Sequence, residues 1–60
     1  MTKIELFYAW RTYTDFVDET CRAIRRARET GASEEAIERM KEPMRAMHAR
    51  LVKETSNVES

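Results

Sequence analysis

The sequence predicts an all-α fold, an antiparallel helical hairpin with a helix over about 3–30, a turn at 30–33 and a kinked helix over about 34–54. Three observations predict it. Two long stretches repeat their apolar residues at alternating spacings of three and four. No glycine or proline interrupts the first stretch before Gly31. The joint between them, Thr30-Gly31-Ala32-Ser33, ends one helix with a glycine and caps the next with a serine.

The first helix opens with Thr2 and, three residues on, Glu5, a capping-box spacing, and Met1 and Leu6 occupy the flanking positions of a hydrophobic staple. At about 1.5 Å per residue the helix is about 42 Å long. Its seam is Leu6, Trp10, Tyr13, Val17, Ile24 and Ala27, with Thr20 in the same register.

The second helix follows Ser33, and Glu34 and Glu35 favour the positive end of its dipole. Its seam is Ile37, Met40, Met44, Met47 and Leu51. Pro43 conflicts with it locally, because proline removes its own N–H bond and crowds the carbonyl of Arg39. The methionine register runs through the proline, so a kink is expected rather than a break. One domain over 1–55 and a disordered polar tail over 56–60 complete the layout.

The charges suit a hairpin. Arg22, Arg25, Arg26 and Arg28 near the end of the first helix are expected to face Glu34, Glu35 and Glu38 at the start of the second. Asp15, Asp18 and Glu19 should lie level with Arg45 and Arg50. Exposed pairs of this kind set register more than stability.

At 60 residues the chain is short for an independent core. Scaffolds of this size gain stability from disulfides, a metal or self-association. Cys21 is the one cysteine, which precludes an intrachain disulfide and suits a reducing cytoplasm. His48 is the one histidine, too few ligands for a structural zinc site, and no cofactor is expected. Self-association remains, with two hairpins pairing as a four-helix bundle. The expected core and dimer interface is Leu6, Trp10, Tyr13, Val17, Ile24, Ile37, Met40, Met44, Met47 and Leu51.

Eleven basic residues balance eleven acidic ones, which argues against a generic polyanion binder. No apolar run is long enough to span a bilayer, and Glu5 interrupts the one apolar stretch near the start, unlike a signal peptide. A cytoplasmic protein without a membrane partner is therefore expected. Enzymatic activity is not: Cys21 and His48 would need to meet as nucleophile and base, and hairpin geometry separates them. Cys21 reads instead as a small buried thiol.

Phe7, Tyr8, Trp10, Tyr13 and Phe16 crowd three turns of the first helix and make it apolar nearly all round. Either a dimer core uses that whole width, or Ile4, Phe7, Tyr8 and Arg11 form an exposed recognition patch. Met40, Met44 and Met47 read as core, with an adaptable binding face as the alternative. Arg22, Arg25, Arg26, Arg39 and Arg45 offer a basic face for nucleic-acid phosphates, although no aromatic residues are interleaved with them.

In length, short turn and heptad seam the chain resembles the Rop (RNA one modulator) proteins, in which two helical hairpins pair as a four-helix bundle and bind an RNA loop pair. The resemblance implies a dimer and carries no RNA-contacting residue onto this sequence. The expected function is a small regulator, adaptor or inhibitor of bacterial or phage type. It would act as a homodimer that docks another protein on a helix face, with Rop-like RNA binding as the alternative.

Overall fold

The computed structural model describes residues 1–59 and contains two helices, α1 (Lys3–Glu29) and α2 (Glu34–Glu59), packed as a hairpin. The Cα trace measures 45 × 17 × 10 Å, which is a single layer of two helices.

Capping explains where the helices start and stop. The Thr2 hydroxyl accepts from the Glu5 N–H at 3.1 Å, and Glu5 Oε1 accepts in return from that hydroxyl. The return bond thus reaches the Thr2 side chain rather than its backbone, a variant of the capping box. Met1 lines a groove with Ala9, Met47 and Leu51. At the turn, Ala32 N–H donates to the Ala27 carbonyl at 2.9 Å and Gly31 N–H to the Arg28 carbonyl at 3.1 Å. This paired pattern is a Schellman motif, and it requires the left-handed φ of 85° that Gly31 supplies. Ser33 then caps α2, its hydroxyl accepting from Ala36 N–H at 3.1 Å.

Leu6, Ile24, Ile37 and Leu51 are buried, with Thr20 beside them in the seam. Trp10, Tyr13, Val17, Ala27, Met40, Met44 and Met47 are half-buried, as flanks of a two-helix layer must be. Among the described residues Ile37 is the one large side chain with no exposure at all.

The second helix continues through Pro43 without a break, as the methionine register predicts, and departs from expectation only at its C-terminal end. Both Pro43 and Arg39 are exposed, so water can satisfy the Arg39 carbonyl that the proline leaves without a donor. Glu38 braces the same region, pairing with Lys41 before the proline at 3.2 Å and with Arg45 beyond it at 2.9 Å. The helix also continues past 54 to Glu59, so the expected tail over 56–60 begins as helix, and Ser60 lies outside the described residues. Thr55 anchors this extension: its hydroxyl donates to the Leu51 carbonyl at 2.8 Å and accepts from the Trp10 indole.

The expected ion pairs between helices are not formed. Those among the described residues, Glu35–Arg39, Glu38–Lys41 and Glu38–Arg45, all lie within α2. Partners one or two turns apart on one helix are already neighbours, whereas cross-helix pairs must order two long exposed side chains.

Ile37→Ala should cost about 3 kcal/mol in urea unfolding, in the range for truncating a buried isoleucine. Val52→Ala, at a half-exposed position, should cost less than about 1 kcal/mol.

Candidate functional site

The first half of α1 carries its aromatic residues in two groups. The inner group faces α2. Trp10 and Tyr13 meet edge to face with centroids 5.6 Å apart. His48 of α2 lies 5.9 Å from Trp10 and 5.6 Å from Tyr13. The Trp10 Nε1–H donates to Thr55 Oγ1 at 2.9 Å, the hydrogen bond that ties the open ends of the two helices together. Buried indoles seek such a partner, and here it also fixes the helix register.

The outer group is open to solvent, with Phe7 at its edge lining a groove beside Trp10 and, on α2, Thr55 and Val58. Ile4, Phe7 and Tyr8 are 71%, 64% and 59% exposed. Phe7 and Tyr8 pack edge to face at 5.6 Å, so the two rings present one surface. Arg11, also exposed, follows one turn later. Of the two arrangements expected for the aromatic cluster, the hairpin by itself leaves this second one open to solvent.

The five arginines of the basic face are dispersed. Arg39 is held by Glu35 at 2.7 Å and Arg45 by Glu38. Glu38 is held below its ordinary pKa by the hydrogen bond from Arg45 first and then by that from Lys41. Arg25 lines a groove with Arg28, Lys41 and Cys21, while Arg45 lines another with Tyr13, Met44 and His48. Arg22 and Arg26 stand exposed on α1 with no ion pair.

Cys21 is exposed rather than buried. It falls on the flank of α1, one step off the seam that Thr20 and Ile24 define, where the two-helix layer has nothing to cover it. His48 is engaged with Trp10 and Tyr13, and Cys21 lies in the groove beside Lys41, so the two do not form a nucleophile–base pair. Among the described residues no group of three or more His, Cys, Asp or Glu is arranged to hold a metal, and no helix is long and apolar enough to cross a membrane.

Sequence reasoning missed His48 and Thr55. Their signal was present: Met44, His48, Leu51 and Thr55 follow one another at spacings of four, three and four, a second register beside the Met44–Met47–Leu51 seam.

Thr55→Val should lower stability by about 1 kcal/mol, the net worth of one hydrogen bond. A double-mutant cycle with Trp10→Phe should return most of that as coupling energy. Additive effects of the two substitutions would show that the indole bond does not hold the open end together.

No family model, curated protein or solved structure matches this chain.

Proposed function

We propose that this chain is a small non-enzymatic regulatory, adaptor or inhibitor protein of the cytoplasm. It works as a homodimer in which two hairpins form a four-helix bundle, and it docks a second protein through the N-terminal half of α1. The observation that carries this reading is the outward Ile4–Phe7–Tyr8 surface. Three large apolar side chains more than half exposed on adjacent turns are costly to leave in water unless something covers them. Arg11 beside them adds a residue type common at binding hot spots.

The surface also rests on a firm base. Trp10, one turn along from Phe7, is fixed by Thr55 and His48 of the other helix. A preordered patch loses less entropy on docking than a loose one. This is recognition by a helix face, with anchors spaced three and four apart.

Rop-like RNA binding is the second reading, supported by the unpaired Arg22, Arg25 and Arg26 of α1. It is the weaker one because Arg39 and Arg45 are engaged by glutamates and the net charge is zero. Retention on immobilised RNA at low salt would favour it, and absence of retention would remove it.

Affinity purification from the native host, with the native chain beside Phe7→Ala/Tyr8→Ala, tests the leading reading. The native chain should carry a stoichiometric protein partner. The double variant should bind that partner at least about thirtyfold more weakly, with helical signal and oligomeric state unchanged. A double variant that unfolds would assign both rings to the core and overturn the proposal.

A further inference from the structure

The two flanks of the hairpin differ in chemistry, and the difference identifies the one that a second copy covers. Resting on the homodimer reading above, we infer that the dimer seam is the flank carrying Ala9, Phe16, Ala23 and Ala27 of α1 with Met40 and Met47 of α2. On α1 the four residues recur at spacings of seven, seven and four, and all six are half-buried in the single hairpin. A groove joins Ala9 to Met47 across the two helices, with Met1, Thr12 and Leu51, and Arg50 is the one charged side chain on it.

The other flank is basic. At about 100° per residue, Ala9 and Cys21 fall about 60° to either side of the line through Leu6 and Ile24. On the Cys21 side lie Arg25, Arg28 and Lys41 with Glu29 in one groove and Arg45 in the next, and Glu38 pairs with both Lys41 and Arg45, so four cations stand against two carboxylates there. A two-fold dimer places the same surface of each copy against the other. Pairing through the basic flank would bring these cations together and desolvate them, whereas the alanine and methionine flank brings together small and adaptable apolar groups.

The surface area fits a second copy. The chain exposes 4863 Å², about 800 Å² more than the roughly 4,100 Å² expected of a compact monomer of its mass. A standard interface takes about 800 Å² from each partner. The alanines let a second two-helix layer approach to the usual helix spacing. Ile4 and Phe7, more than half exposed, fall about 140° and 160° around α1 from Ala9, so they stay free for a different partner while Tyr8 borders the seam.

Sedimentation of the full chain and two charge variants tests the assignment. The native chain should be a dimer. Ala23→Glu should weaken self-association at least about a hundredfold, because a two-fold seam buries the introduced charge twice. Cys21→Glu on the basic flank should leave it within about threefold. Since Ala23→Glu can lose its fold along with its partner, a milder probe accompanies it. In a Cys21→Ser background, Ala23→Cys should react with a bulky maleimide at least about tenfold more slowly than native Cys21 does, and lose that protection on dilution. A monomeric native chain would overturn the homodimer reading and this seam together. A native dimer that persists in Ala23→Glu, dissociates in Cys21→Glu, or leaves the cysteine at 23 as reactive as Cys21 would overturn the seam alone.

Discussion

Two helices side by side make one layer, and one layer has a single seam in which to hide apolar side chains. The hairpin is 10 Å thick through its Cα atoms, and four hydrophobic side chains, Leu6, Ile24, Ile37 and Leu51, are buried along its 45 Å length. The other apolar seam residues share their surface with water. The hairpin therefore depends on fixing its two ends. At the closed end, Gly31 lets the backbone satisfy the last carbonyls of α1 while reversing direction. At the open end, where no loop holds the helices together, the Trp10 indole and the Thr55 hydroxyl join them.

The arrangement separates a seam and three outer surfaces that a larger domain would distribute over more elements. The seam holds the hairpin together. One flank is rich in alanine and methionine with Arg50 at its edge, the other carries arginines and a lysine with Glu29 among them, and the outer side of α1 presents Ile4, Phe7 and Tyr8. The charges contribute little to joining the helices. Glu35 and Glu38 pair with cations of their own helix and support α2 on either side of Pro43, where it lacks a backbone hydrogen bond.

Much of this was legible in the sequence because it follows from local chemistry. Thr2, Gly31 and Ser33 mark helix ends by side-chain and backbone geometry that acts within a few residues, and the spacing of Leu6, Ile24, Ile37 and Leu51 defines the seam. What the sequence obscured depends on contacts between distant residues. Thr55, Ser56 and Asn57 are poor helix formers, and the bond from Trp10, 45 positions away, holds the helix against α1 where it enters them. The ring contacts of His48 with Trp10 and Tyr13 likewise join residues on different helices. The exposure of Cys21 and the helix-internal pairing of Glu35 and Glu38 reflect how little of a one-layer structure is enclosed. The outward aromatic surface was visible as a pattern, but its exposure in the isolated hairpin required three dimensions.

If a single hairpin has too little interior to persist by itself, its folding must depend on how much of it is present. The thermal unfolding midpoint, followed by circular dichroism over a hundredfold range of protein concentration, measures that dependence directly. A midpoint that rises by roughly 10 °C across the range is the expected result for folding linked to pairing. A sharp, cooperative transition at the same temperature throughout would mean that one hairpin stands alone.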